Sequence, residues 1–149
     1  MKKIPLTQSQ FTIVDGKNCK WLNQYKWYAH WDGHNFYAIR NGVNKNGKRI
    51  PIRMHREILG LKRGDKRQVD HINHKTLDNR ECNLRIVDGN QNQWNQKNRK
   101  GYWWNNRDKK YQAAISIYGK RIYLGYFNTA KEARKAYLKA KKLYHRIEN

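Results

Sequence analysis

The sequence predicts an α+β chain: a small β-rich N-terminal unit, a strand–loop–strand–helix segment, and a three-stranded antiparallel sheet packed on one helix. Three observations predict it. Short runs rich in β-branched and aromatic residues, bounded by Gly, Asn, Asp and Lys, fill residues 4–60. From Tyr111 to Tyr118 one side of the chain alternates with the other, as in a half-buried strand. After Thr129, apolar residues recur at helical spacing.

Charge decides the class of partner. The 149 residues carry 33 Lys and Arg against 11 Asp and Glu, a net +22. A chain this basic expects a polyanion, nucleic acid first. By segment the charge is +10 over residues 1–66, +1 over 67–98 and +11 over 99–149. The nearly neutral middle lies between two basic flanks that attract phosphate. Cys19 and Cys82 are far apart, with no Cys-x-x-Cys pair to suggest a structural zinc and no disulfide framework, which suits a reducing cytoplasm. MKKIPLTQSQ lacks the apolar run of a signal peptide, and no stretch approaches a membrane span.

In chain order, FTIVD (Phe11 to Asp15) reads as a strand, and Trp21 to Trp31 is dense in aromatics. Those aromatics either fill a small core or stack on bases. Phe36 to Arg40 and Arg49 to His55 form a hairpin across the turn NKNGK, with Pro51 suited to an edge strand. His55 to Leu61 is a short helix ended by Gly60, and residues 62–68 are a basic turn.

Residues 69–95 organise the rest. A short strand ends in Asp70-His71, a polar loop follows, and Asn83 closes it. Leu84 to Val87 is a second strand, and Asp88-Gly89 starts a polar helix carrying Asn92, with Asp88 as N-cap. Residues 93–100 finish that helix and link onward. Asp70 and Asn92 offer hard oxygen ligands for Mg²⁺ or Mn²⁺. His71 can take a proton from water near neutral pH. Asn83 carries a donor and an acceptor, and can brace the loop that aims His71. The plainer reading makes Asp-His a strand end and the asparagines turn formers.

Asp70-His71, Asn83 and Asn92, with NLRIV after the middle Asn, resemble the HNH endonuclease motif. The pattern is similar to that of the phage and intron-encoded homing endonucleases with Asn in the third position. The resemblance implies a ββα-metal unit over about residues 67–98, within a nuclease domain of residues 1–98. It makes His71 the general base, Asn83 its positioning residue, and Asp70 and Asn92 the metal ligands, with Mg²⁺ first and Mn²⁺ second. LDNRECNLRIV resembles the family's loop and second strand, while His74 stands where a Gly or small polar residue is expected, and reads as a solvated loop residue. MHREILGL resembles the segment preceding the motif. His55 is thus expected beside the site or against a phosphate, or as a buried structural histidine.

Residues 99–149 form a separate module. Tyr111, Ala113, Ile115 and Ile117 alternate with Gln112, Ala114, Ser116 and Tyr118, and Tyr118-Gly119-Lys120 turns into the strand RIYLGYF. Thr129 and Glu132 make a capping-box pattern, followed by Ala133, Ala136, Tyr137, Ala140, Leu143, Tyr144 and Ile147. The Lys-Gly opening, Tyr111, Ala113, Ile115 and Arg121 to Phe127 resemble the plant ethylene-response-factor type of DNA-binding domain, also found fused to phage HNH enzymes. The resemblance implies that the sheet face enters the major groove of duplex DNA. Its outward positions here are Lys100, Trp103, Asn105, Ser116, Arg121 and Tyr123. Several plant arginines are Trp, Asn or Ser here, so target sequence does not transfer. For the aromatics, core packing is the alternative, and for Arg121 a solvated edge charge.

Together these readings describe a metal-dependent DNA endonuclease of the homing type, of a kind phages encode. It would act in a bacterial cytoplasm on duplex DNA as a monomer that nicks one strand, with no protein partner implied. The rivals are a DNA-binding regulator with an inactive HNH site and, more weakly, a ribosomal-type RNA-binding protein.

Overall fold

Turn residues cut the first half of the chain into short strands, none longer than eight residues. The computed structural model describes residues 1–94 and 99–145. The chain is α+β and divides into two units, Met1–Asp88 and Gly89–Asn149. The division falls earlier than the sequence suggested, so the helix bearing Asn92 belongs to the second unit.

In the first unit, β1 (Lys2–Pro5) and β2 (Phe11–Val14) form an antiparallel hairpin, followed by α1 (Gly16–Leu22). Next come β3 (Tyr28–Trp31), β4 (Phe36–Val43) and β5 (Arg49–Arg53), an antiparallel sheet in the order β3-β4-β5. The hairpin expected across NKNGK is β4–β5, with Ile39 opposite Arg53 and Val43 opposite Arg49. Pro51 lies on the edge strand β5, where its missing N–H leaves no ladder bond unmade. Helix α2 (Met54–Ile58) follows, and the chain leaves it through Gly60 at φ +68°, a left-handed position that favours glycine. Strands β6 (Gln68–His71) and β7 (Leu84–Val87) make the last hairpin.

The core of this unit gathers Ile4, Val14, Leu22, Trp27, Ala38 and Met54, with Leu6, Cys19, Trp21, Ile58 and Leu77 against it. The Trp27 indole N–H donates to the Leu22 carbonyl at 2.8 Å. Trp21 and Trp27 therefore serve packing. Trp31, by contrast, is exposed. An Arg40–Glu57 ion pair ties β4 to α2, and the Arg40 guanidinium lies 4.0 Å from the Tyr25 ring centroid.

In the second unit, α3 (Gly89–Trp94) precedes β8 (Tyr102–Asn105), β9 (Lys110–Ile117) and β10 (Lys120–Phe127), then α4 (Ala130–Tyr144). The sheet is antiparallel with β9 in the centre. Tyr118 and Gly119 join β9 to β10 with φ of +46° and +81°, the double positive φ of a type I′ hairpin turn. Thr129 and Glu132 form the expected capping box. Tyr137 and Ala140 of α4 pack on Ile115, with Leu124 beside them. Ala114, expected on the open side, is also buried. A bulge between Tyr123 and Gly125 shifts the register and brings Tyr126 opposite Gln112. Gly101 explains the Lys-Gly opening: a Cβ there would fall 2.0 Å from the Tyr137 ring. Trp94 stacks on His145, with ring centroids 4.7 Å apart and planes 5° from parallel.

The end of the α3 helix and the link expected at residues 93–100 fall partly, and Ile147 falls wholly, outside the described residues. Among the described residues no helix is long and apolar enough to cross a membrane.

Candidate functional site

The β6–β7 ladder sets Asp70 opposite Arg85 and His71 opposite Leu84. The loop between the strands is held by Asn83. Its backbone carbonyl accepts from the Ile72 N–H at 2.9 Å, and its side-chain Oδ1 from the Asn73 N–H at 3.0 Å. Its Nδ2 donates to the Asp78 carbonyl at 2.7 Å. One buried amide thus clamps both ends of the loop that follows His71. Asp78 adds a second tie, accepting from Asn73 Nδ2 at 2.9 Å and from both Nε and Nη2 of Arg80. These donors hold its carboxyl below the usual carboxylate range, the Arg80 hydrogen bond most of all.

The first hairpin supports the same loop from outside. Ile13 and Asp78 form a parallel bridge, the Ile13 N–H donating to the Leu77 carbonyl and the Asn79 N–H to the Ile13 carbonyl. Asp15 accepts from the Glu81 N–H, and Asn18 and Lys17 each hold one Glu81 carboxylate oxygen. The N-terminal segment is therefore a mould for the loop.

His74 stands at φ +61°. This is the left-handed conformation that a glycine enters without strain, which explains the small residue expected there. The side chain is half-buried rather than fully solvated.

His71 is 5% exposed, and its Nε2 lies 3.1 Å from Oδ1 of Asn79. Burial pushes its pKa below the ordinary histidine value, against smaller upward contributions from Asn79, Asp70 and Asp78. The ring is therefore neutral at pH 7, as a base must be. His55 of α2 meets it edge-on, centroids 5.1 Å apart, and Tyr37 flanks both rings. His55 is itself buried, and burial first, then the neighbouring His71, Arg53 and Arg56, brings its pKa down to about 3. It thus lies beside the candidate base as a neutral, buried ring.

Asp70 is 9% exposed, and Arg85 approaches its Oδ2 with Nε at 2.9 Å and Nη2 at 2.7 Å. Among the described residues no cluster of three or more His, Cys, Asp or Glu could hold a metal. The donor set is one carboxylate, which suits a cation that keeps its waters better than a dedicated cage. Asn92 lies on α3 of the second unit. The first unit brings together Asp70, His71 and Asn83, with His55 alongside.

The second candidate surface is the sheet face of the second unit turned away from α4. Cross-strand partners share a face. Trp103, Gln112 and Tyr126 form one row across the sheet; Ala114 with Tyr123 and Ser116 with Arg121 form two more. Trp103, Tyr123 and Tyr126 are exposed, and the Arg121 guanidinium lies 5.6 Å from the Trp103 ring centroid. Of the six positions named from the sequence, Trp103, Ser116, Arg121 and Tyr123 lie on this face. Asn105 turns its Oδ1 to the backbone N–H groups of Arg107 and Asp108, so it serves the β8–β9 turn. Lys100 is exposed, and its carbonyl accepts from Arg134 at 2.8 Å.

Sequence reasoning missed Asn79, Thr12 and Arg85 at the first site and Gln112 and Tyr126 at the second. Gln112 follows from the alternation and Tyr126 only from the bulge. Arg85 follows from pairing the two strands. Nothing local marks Thr12. Comparisons of the chain with protein-family models, with curated proteins and with solved structures found no match.

Proposed function

We propose that this chain is a metal-dependent DNA endonuclease of the HNH type, hydrolysing a phosphodiester in duplex DNA and nicking one strand. The observation that carries the reading is His71: a neutral, buried imidazole at the end of β6, held at Nε2 by Asn79, just before a loop clamped by Asn83, with the carboxylate of Asp70 as its chain neighbour. A surface histidine in a turn has no need of such support.

His71 takes the proton of a water, and the resulting hydroxide attacks phosphorus as the leaving oxygen departs. Asn83 keeps the loop from drifting during that transfer. Asp70, and by the family resemblance Asn92, would hold a Mg²⁺ or Mn²⁺ ion through hard oxygen atoms. Such an ion, when bound, stabilises the charge on the phosphate and the leaving oxygen. The basic flanks, +10 and +11, supply affinity for the backbone, and the outer sheet face of the second unit selects the site.

A second reading is favoured by one observation, the grip of Arg85 on Asp70. In a DNA-binding regulator with an inactive site, that pair would be structural and no metal would enter. Purified protein incubated with supercoiled plasmid and Mg²⁺ separates the two. The nuclease cuts, and His71→Ala lowers the rate by ~10²-fold or more with little change in DNA affinity. Asp70→Ala and Asn92→Ala recover part of their activity as the metal concentration is raised. A wild type that binds duplex DNA without cutting it, or a His71→Ala variant that cuts as fast, leaves the regulator.

A further inference from the structure

We propose that Asn79 and Thr12 are positioning residues that fix the tautomer of His71, placing its proton on Nε2 and its basic lone pair on Nδ1. The inference rests on the reading of His71 as the base, and it names which nitrogen acts.

The argument starts at a carbonyl. The Leu77 oxygen can only accept, and the Thr12 hydroxyl lies 2.8 Å from it. Thr12 has one proton to give. Its other neighbour, the Met54 sulfur, is 3.9 Å away and a weak acceptor, so the carbonyl takes the proton. The Thr12 oxygen is then left with lone pairs only. It lies 2.8 Å from Asn79 Nδ2, and accepts from it. That contact orients the amide. Oδ1 must face the other way, where His71 Nε2 lies at 3.1 Å. An amide oxygen only accepts, so Nε2 carries the proton, and in a neutral ring Nδ1 then has the lone pair.

The reversed arrangement is worse at every link. Turning the amide would set Oδ1 against the Thr12 oxygen, and Thr12 would have to abandon Leu77 to satisfy it. Thr12 and Asn79 are both 0% exposed, so a lost bond there goes unreplaced. The backbone keeps the chain in register: the Asn79 N–H donates to the Ile13 carbonyl at 2.8 Å, and the Ile13 N–H to Leu77 at 2.9 Å. A hydroxyl on the first hairpin of this unit thereby sets the proton of a ring on the last.

The test uses the full chain with ¹⁵N-labelled histidine, and His71→Ala to assign the signals. Two-bond ¹H–¹⁵N correlation at pH 7.5 should show His71 protonated at Nε2. Thr12→Val keeps the shape and removes the hydroxyl, freeing the Asn79 amide to turn and donate to Nε2. The His71 proton should then move wholly or partly to Nδ1, and Thr12→Ser should hold it on Nε2. The rate of nicking at saturating DNA should fall at least ~10-fold in Thr12→Val, since a misplaced proton disables an otherwise intact base. The KM for DNA should stay within about 2-fold, as expected when only a transition-state interaction is lost. Asn79→Asp is the second variant: its carboxylate still accepts, so Nε2 must keep its proton there. A wild-type ring protonated at Nδ1, an unmoved tautomer in folded Thr12→Val, or a moved tautomer with unchanged nicking overturns the proposal. If the wild type cuts no DNA while the tautomers behave as stated, the nuclease reading fails and the assignment of the proton stands.

Discussion

Arg85 and Asp70 sit directly opposite each other on the β6–β7 ladder, and the guanidinium closes on a single carboxylate oxygen through both Nε and Nη2. Both side chains are largely buried, 15% and 10% exposed. Removing one partner of such a pair leaves a charge short of compensation. Arg85→Ala should therefore lower stability by about 2–3 kcal/mol in EDTA, somewhat less than for a fully buried pair. If Asp70 is a metal ligand, millimolar Mg²⁺ should return part of that loss, because a cation at the carboxylate replaces the guanidinium. Urea unfolding of wild type and variant, with and without Mg²⁺, measures this. An equal Mg²⁺ effect on both proteins would separate Asp70 from the metal.

His55 makes the first unit sensitive to acid. Unfolded, it takes up a proton near the ordinary histidine value of 6.5; folded, it does so only near 3. Between those values the unfolded chain binds the extra proton, so stability falls as the pH drops from about 7 toward 3. Up to about 4 kcal/mol is at stake, an upper figure for so buried a group. His55→Gln has no titrating group at this position. Its stability should fall less steeply between pH 7 and 4 than that of the wild type in denaturant titrations. Parallel pH profiles would show that His55 is hydrated or already charged in the fold.

Trp94 belongs with the second unit, stacked on His145 and edge-on to Tyr118. A fragment starting at Gly89 should be more stable than one starting at Arg99, by about 2 kcal/mol for one large buried ring. Trp94→Ala in the longer fragment should erase most of the gain. Thermal melts followed by circular dichroism decide this; equal melting temperatures for the two fragments would make α3 irrelevant to the fold of the sheet module.

The outer sheet face should bind duplex DNA in either fragment without cutting it. Affinity should fall steeply with salt as condensed counterions are released. Arg121→Ala should weaken specific binding by roughly 1–3 kcal/mol if its guanidinium makes a bidentate base contact. Tyr126, on the same face through the bulge, provides a second probe. Binding isotherms at several salt concentrations give both quantities. A folded fragment that does not bind duplex at low salt removes this face from recognition.

The parts of the fold legible in the sequence were those written in local chemistry. Leu84 to Val87 is a short β-branched run between Asn83 and Asp88, and it is β7 residue for residue. Thr129 and Glu132 announced α4, and Asn-Lys-Asn-Gly announced the β4–β5 hairpin. The parts missed depend on distant neighbours. Helix α1 has only seven residues, and its Trp21 and Leu22 open an aromatic run that has no clear period. Strand β1 hides behind two lysines and a proline, and is a strand because β2 pairs with it. At the candidate site, Asp70, His71 and Asn83 could be named from spacing. Asn79 could not, because its meaning comes from Thr12, 67 residues away.

The last prediction concerns how many strands one molecule cuts. The chain holds a single Asp70-His71, Asn83 and Asn92 set, so one molecule would carry one reacting centre. One centre at one phosphate cannot reach the opposite strand without rebinding, and because the strands are antiparallel it must also turn around. A two-fold dimer would solve the problem by presenting two centres. The sequence offers no heptad repeat for such a dimer. The middle of the apolar face of α4 is already used: Tyr137 and Ala140 pack on Ile115 of its own sheet, while Leu143 and Tyr144, expected on that face, are exposed near the helix end. The exposed aromatics Trp103, Tyr123 and Tyr126 lie on the face assigned to DNA. A monomer reading an asymmetric target follows, and with it a nick. Supercoiled plasmid bearing the target should convert first to open circles, with linear product late or absent. The mass of the protein–DNA complex by analytical ultracentrifugation should correspond to one chain. Linear product from the outset, with two chains on the DNA, would replace the monomer with a dimer.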